Sequence, residues 1–163
     1  MTDPSDKKKS AILRLMEARD LPEVMKIENA SFQAPWSQRF FLDELRLDAS
    51  RAWVAVIEGE GREEVVGYVC SRFVLQEASI LNIAVAPEWR HLGLGRTLLR
   101  KVIAEARRYS YRNVNLEVRR SNETAQRLYH SEGFGLNGVR KKYYTDNGED
   151  AFVMVLDLQP SSP

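Results

Sequence analysis

The stretch Arg90-His91-Leu92-Gly93-Leu94-Gly95-Arg96-Thr97 sets two glycines one residue apart between two arginines. Glycine lets backbone pass close to a ligand with no Cβ in the way. A helix-like run begins near Leu94, and a helix N-terminus offers unpaired N–H groups and the positive end of a dipole. With the charges of Arg90 and Arg96, these features point to a di- or polyphosphate ligand. Two familiar phosphate loops fit poorly. A G-x-x-x-x-G-K-[ST] loop needs an earlier glycine and a lysine, whereas Gly95 is followed by Arg96-Thr97. The dinucleotide pattern needs a third glycine where Leu98 stands, although Glu117 falls near the spacing of its acidic residue.

Two further side chains have the chemistry to handle protons. Glu117 lies in a strictly alternating run, with Val114, Leu116 and Val118 on one face and Asn115, Glu117 and Arg119 on the other. By itself that pattern also fits a solvated strand glutamate beside Arg119. Tyr129 shares a helical stripe with Asn122 and Ala125, an amide and a phenol with a small residue between them. Such a face suits a slender ligand; it also fits a packed helix tyrosine. Cys70 is the only cysteine, and only His91 and His130 are available to activate it. A cysteine in an apolar strand reads as inert core. The histidines and acids show no metal-ligand spacing, so no metal is expected.

The elements that must position these residues are legible as punctuation and period. A short strand is expected at 12–16. Asp20 should cap a helix with Pro22 in its first turn, reaching about Ala30, and Ser37 a second helix through Leu47. Strands are expected at 51–58 and 65–75, joined by Glu58-Gly-Glu-Gly-Arg62, and then at 78–86. From 94 to 109 the apolar set Leu98, Leu99, Val102, Ile103 and Ala106 fits one helical face. A strand at 113–119 precedes a helix capped by Ser121 and ended by Gly133. Strands at 139–144 and 151–158 should flank the turn Asp146-Asn147-Gly148. The order β-α-α-β-β-β-α-β-α-β-β implies an α/β fold with a mixed central sheet flanked by helices.

Composition narrows the class. The chain has 163 residues, 44% hydrophobic and 29% charged, which predicts one domain with a real core over 11–158. A net charge of +1 predicts neither direct nucleic-acid nor membrane binding. No apolar run approaches the roughly 18 residues of a membrane span. Residues 1–10 are polar, with Lys7-Lys8-Lys9 and no apolar stretch behind them, and read as a flexible tail; 159–163 reads as a flexible end. A single cysteine excludes a disulfide framework and suits a reducing, cytoplasmic setting. A monomer or weak dimer is expected.

The loop Arg90-x-x-Gly93-x-Gly95 resembles the R/Q-x-x-G-x-G/A loop with which the GNAT superfamily holds the pyrophosphate of acetyl-CoA. The likeness runs from about Ile12 to Leu158. It includes Ile80-Leu-Asn-Ile-Ala-Val-Ala-Pro87, Leu116-Glu-Val-Arg119, Ser121-Asn122, Leu128-Tyr129 and Glu132-Gly-Phe134. It also includes Phe32 with Pro35-Trp36, and Tyr143-Tyr144 with Gly148-Glu-Asp-Ala151. Together these segments are similar to the RimI-type ribosomal-protein alanine N-acetyltransferases. That resemblance implies the GNAT acyl-CoA N-acyltransferase fold and acetyl-CoA as co-substrate. Arg90, His91, Leu92, Gly93, Leu94, Gly95, Arg96, Thr97 and Asn122 would hold the cofactor, and the backbone of Ile83, Ala84 and Val85 would meet its pantetheine and thioester. Glu117 would be the general base and Tyr129 the acid that meets the departing thiolate. Phe32, Pro35, Trp36, Tyr143 and Tyr144 would line a groove for the N-terminal peptide of a protein substrate, by resemblance the N-terminal alanine of the eighteenth small-subunit ribosomal protein. Another N-terminus, a lysine or a small amine is the alternative acceptor. A non-catalytic acyl-CoA or nucleotide-binding module is the alternative of another class, and it would need neither Glu117 nor Tyr129.

Overall fold

The computed structural model describes residues 11–159. The expected tail at 1–10, and all but Gln159 of the expected end, lie outside them. Seven strands form one mixed sheet in the order β1-β2-β3-β4-β5-β7-β6. The chain divides into two compact units: residues up to Ser71 with Asn82–Lys101, and Arg72–Leu81 with Val102 onward.

In the first unit, β1 (Ile12–Leu15) pairs antiparallel with β2 (Ser50–Gly59), Ile12 opposite Val56 and Leu15 opposite Trp53. Helix α1 (Leu21–Ser31) starts at Asp20 with Pro22 in its first turn, as the sequence predicts. The Asp20 side chain does not cap it. Its carboxylate takes both arms of the Arg14 guanidinium at 2.8 and 2.7 Å and the Glu17 N–H at 2.8 Å. A fork of charged donors outcompetes a neutral cap bond. Helix α2 (Gln38–Leu45) is capped as expected, with the Ser37 hydroxyl accepting from the Phe40 N–H at 3.1 Å. Strand β3 (Arg62–Val74) returns from β2 through Glu60 and Gly61, both in the left-handed region. The core is made by Leu21, Val24, Phe41, Val54, Val56, Val66 and Tyr68, all fully or nearly fully buried.

Strand β4 (Glu77–Val85) and helix α3 (Leu94–Arg108) each contribute to both units. The five residues expected on one face of α3 are all buried. In the second unit β4 runs parallel to β5 (Asn113–Arg119), with rungs from Glu77–Asn113 to Ile80–Leu116. Strand β5 then pairs antiparallel with β7 (Ala151–Asp157) along its whole length. Helix α4 (Glu123–Ser131) is capped by Asn122, whose side chain accepts from the Ala125 N–H at 3.1 Å. This corrects the cap from Ser121 by one residue; the Ser121 N–H instead donates to Glu149 Oε2 at 2.7 Å.

The expected strand at 139–144 is displaced. The sixth strand, β6, is Gly135–Arg140, paired antiparallel with β7 and bulged between Leu136 and Gly138. Gly133, with φ of 98°, turns the chain out of α4, and the buried Phe134 anchors the entry into β6. Two glycines and an asparagine make poor strand residues by propensity. They are tolerated at the edge of the sheet, where pairing with β7 decides the conformation. Tyr143 and Tyr144 therefore lie in a loop. The Asp146-Asn147-Gly148 turn does form inside it, with the Gly148 N–H bonded to the Tyr144 carbonyl at 2.8 Å.

Candidate active site

The expected phosphate loop lies in the first unit. The Gly93 carbonyl accepts from the Thr97 N–H and from the Thr97 hydroxyl, each at 3.0 Å, so Gly93 closes the N-terminal end of α3. Its φ of 84° is one that side-chain-bearing residues rarely adopt. A Cβ built there would meet nothing within 4 Å, so the glycine leaves open space in front of a helix dipole. Gly95 is already inside α3, with no positive φ, so the backbone demand falls on Gly93 and not on its partner. His91 also has positive φ, 65°. A non-glycine residue held there stores local strain, a common trait of ligand loops.

Two expected phosphate ligands have other duties. Arg90 donates from Nε to the Val85 carbonyl and from Nη2 to the Ser31 hydroxyl, both at 3.0 Å. It braces the loop against the end of β4 and against α1. Thr97 donates its only hydroxyl proton to Gly93, which leaves none for a phosphate. Among the rest, His91 and Leu92 are exposed, and Leu94, Gly95 and Arg96 half-buried.

Ile83, Ala84 and Val85 are half-buried. Apolar residues of an interior strand are ordinarily covered on both faces. Gly67 of β3, overlooked in the sequence, explains how this strand end is set: a Cβ there would come within 3.1 Å of Leu98 and 3.2 Å of the Ala84 carbonyl. A glycine inside an apolar strand is the readable sign of such a close approach.

Trp36 is half-buried and stacks at a tilt on Phe40 at 4.4 Å and Phe41 at 5.2 Å between ring centroids. Phe32 is half-buried and Pro35 exposed. Behind them stands a polar cluster with no counterpart in the sequence reading. Glu28 is only 1% exposed and accepts from the Trp36 N–H, the Asn82 amide and the Tyr68 hydroxyl. Burial pushes the Glu28 carboxyl above its usual range, while the three donors oppose that shift. Cys70 is buried and its thiol pushed far up by desolvation, in keeping with inert core.

The second unit holds the expected proton-handling pair. Val114, Leu116 and Val118 are buried, and Glu117 stands on the opposite face of β5, half-buried. Its Oε1 lies 3.1 Å from Arg140 Nε, on β6. Arg119, two residues on, bonds Asp146 at 2.9 Å and Glu149 at 3.4 Å, and its guanidinium lies 3.9 Å from the centre of the Tyr144 ring. Arg119 thereby organises the 141–150 loop, and Glu149 ties that loop to the start of α4 through Ser121. Arg119 and Arg140 were not foreseen as partners, because the strand position of Arg140 depended on the displaced β6. Tyr143 and Tyr144 meet edge to face at 5.1 Å. Burial, then the Glu117 carboxylate, holds the Tyr143 phenol above its usual range; burial pushes Tyr144 up to about 12, with Arg119 opposing.

Tyr129 is 6% exposed and packs on Phe134 at 5.9 Å. Desolvation, and then Tyr144, raises its phenol well above the ordinary value. Asn122 uses its side-chain oxygen as the α4 cap, which leaves its amide hydrogens as the groups able to meet a ligand. Among the described residues no helix is long and apolar enough to cross a membrane.

The sequence profile of the Acetyltransferase (GNAT) family matches residues 21–134. An Escherichia coli K12 protein named [ribosomal protein bS18]-alanine N-acetyltransferase is 35% identical over 145 residues, covering 88% of this chain and 95% of that protein. A Bacillus subtilis protein, given the same name provisionally, is 42% identical over 147 residues, covering 90% and 95%. The crystal structure of the E. coli ribosomal-protein-S18-alanine N-acetyltransferase superposes with a TM-score of 0.83 at 32% identity, covering 93% and 96% of the two chains.

Proposed function

We propose, from the premise that the chain belongs to the acetyltransferase (GNAT) family, that it moves the acetyl group of acetyl-CoA onto the N-terminal amine of a protein. The observation that carries the reading is the Gly93 cradle at the head of α3, open in front and closed behind by Thr97. The N–H groups of the first turn of α3 would hold the pyrophosphate. The backbone of Ile83, Ala84 and Val85 would meet the pantetheine and the thioester oxygen. Losing one such donor to an oxyanion costs about 3 kcal/mol in well-measured enzymes.

The amine nitrogen attacks the thioester carbon, a C–N bond forms and the C–S bond breaks. The nitrogen's proton passes to Glu117, directly or through one water, and the departing thiolate takes a hydrogen bond or a proton from Tyr129. Products are the acetylated amine and the CoA thiol, with no acyl-enzyme. An α-amine, with pKa near about 8, is partly neutral at pH 7, whereas a lysine near about 10.4 is almost wholly charged. Modest base strength at Glu117 therefore suffices for an N-terminus.

The acceptor follows from the relatives, which are named for the alanine of ribosomal protein bS18. A ribosomal-protein N-terminus starting with alanine, met in the cytoplasm, is the proposed substrate. Phe32, Pro35, Trp36, Tyr143 and Tyr144 are its proposed binding residues. A competition tests this: a peptide beginning with Ala against the same peptide with a blocked N-terminus and an internal lysine. The free N-terminus should be acetylated at least about tenfold faster at neutral pH, from the difference in amine ionisation alone. Faster reaction of the blocked peptide would make lysine the acceptor, and equal slow rates would point to a small amine.

The cofactor half has its own test. Gly93→Val should weaken acetyl-CoA binding by about tenfold or more, because a branched side chain disfavours a φ of 84° and projects into the open cradle. Calorimetry reads the affinity and circular dichroism the fold. Parental affinity in a folded variant would remove the loop from the cofactor site.

A further inference from the structure

The proposed mechanism leaves the Glu28 cluster unused, and a buried carboxylate is expensive to keep without a purpose. Its two oxygens connect three separate pieces of chain. Oε1 accepts the Trp36 N–H at 2.9 Å. Oε2 accepts the Asn82 amide at 2.7 Å and the Tyr68 hydroxyl. Asn82 also donates to the Tyr68 oxygen at 3.2 Å. Trp36 belongs to the loop between α1 and α2, and Asn82 directly precedes Ile83 on β4. Among the described hydrogen bonds of residues 33–36, the one to Glu28 is made by backbone, so it fixes the path of the loop whatever its side chains do. The donor Asn82 fixes the strand segment in which the acyl-binding backbone begins.

We propose that Glu28 is a positioning residue for the acceptor: it sets the 32–37 loop in register with the 82–85 segment of β4. This rests on the reading that Phe32, Pro35 and Trp36 bind the acceptor peptide. The chemistry requires a carboxylate. Glutamine would offer one oxygen for the Trp36 N–H and turn an NH2 group toward the Asn82 NH2 group, two donors facing each other. The Tyr68 hydroxyl can rotate to accept, and the Asn82 side chain must turn over to present its oxygen in place of its NH2 group. The charge-assisted bonds that hold the loop and the strand to one carboxylate are lost in either case.

The test compares Glu28→Gln with Tyr68→Phe, which removes a donor from Oε2 and leaves the Trp36 bond intact. Glu28→Gln should raise KM for the Ala-peptide by about tenfold or more, with kcat within about threefold and acetyl-CoA affinity unchanged. Its Trp36 amide should exchange hydrogen at least about tenfold faster than in the parent. Tyr68→Phe should keep parental values of both. Equal loss in both variants would mean a general core defect and overturn the proposal, as would a folded Glu28→Gln protein with parental peptide KM and parental Trp36 exchange. The parent supplies a measurement that no variant can spoil: its Trp36 amide should exchange at least about 100-fold more slowly than that of Ala34. Similar rates at the two positions would overturn the proposal even if Glu28→Gln did not fold. The exchange readout does not depend on the acceptor's identity. Faster Trp36 exchange in a Glu28→Gln variant with an unchanged KM would therefore count against the peptide-groove reading and against the acceptor role of Glu28, while leaving its hold on the loop.

Discussion

Glu117→Gln is expected to lower turnover by about 10²–10⁴ at neutral pH, the usual loss when a general base is removed. The substitution keeps the shape of the side chain and keeps an oxygen for Arg140, whose Nε lies 3.1 Å away. It removes the ability to take a proton. Acetyl-CoA affinity should change little, since the proposed phosphate contacts are made by other residues. The defect should shrink as pH rises through the amine's pKa near about 8, because a growing share of acceptor arrives already deprotonated. Turnover measured on an Ala-peptide from about pH 6.5 to about pH 9.5 reads both effects, the size at low pH and the recovery at high pH. Parental activity at neutral pH would remove Glu117 from the chemistry. A loss that stayed constant with pH would give it a structural duty, most simply as the partner of Arg140 at the start of the 141–150 loop.

What could be read from the chain divides along a physical line. Features governed by one element's own period were legible. The buried face of α3 follows from Leu98, Leu99, Val102, Ile103 and Ala106, and the half-buried side of β5 follows from strict alternation. Ser37 capped α2 as its chemistry dictates. Features governed by competition between distant partners were not. Asp20 had the right type and place for a cap, but Arg14 took its carboxylate. Arg90 spends two of its donors on Val85 and Ser31, and Thr97 its hydroxyl proton on Gly93, bonds that their residue types do not announce. Strand β6 was misplaced because its conformation comes from pairing with β7, and its own residues argue against a strand. The Glu28 cluster joins residues 40 and 54 positions apart, and no local pattern announces such a bond.

The glycine loop was legible in type but not in detail. Only Gly93 carries the left-handed angle, while Gly95 lies inside the first turn of α3. A pattern of letters cannot distinguish backbone strain from close approach. The distinction makes Gly93 the position whose substitution tests cofactor binding.

Tyr129→Phe should lower turnover by about 10- to 150-fold, the worth of a hydrogen bond to a charged group, and by the same factor across the working pH range. The phenol is nearly buried, and desolvation followed by Tyr144 raises it well above its ordinary value. An ordinary phenol near about 10 is already a weaker acid than a thiol near about 8.5, so full proton transfer would be uphill by about 2 kcal/mol. Burial widens that gap. The role left to Tyr129 is to donate a hydrogen bond to the thiolate as the C–S bond breaks, a role that needs no titration. The linkage sign agrees with an assay below about pH 9.5: a phenol raised in the folded state stabilises the fold below its unfolded pKa near about 10, and that contribution is lost only as pH climbs through the folded value. Titration of Tyr129 itself therefore removes no stability from the parent in that window. Removing the hydroxyl leaves the ring on Phe134, and circular dichroism should show an unchanged fold. KM for acetyl-CoA should hold and kcat fall, in contrast to Gly93→Val, which should shift the affinity. Recovery of the Tyr129→Phe enzyme at high pH, alongside Glu117→Gln, would mean that the phenol acts on the amine. An undiminished kcat would leave the thiolate to water and return Tyr129 to the helix core.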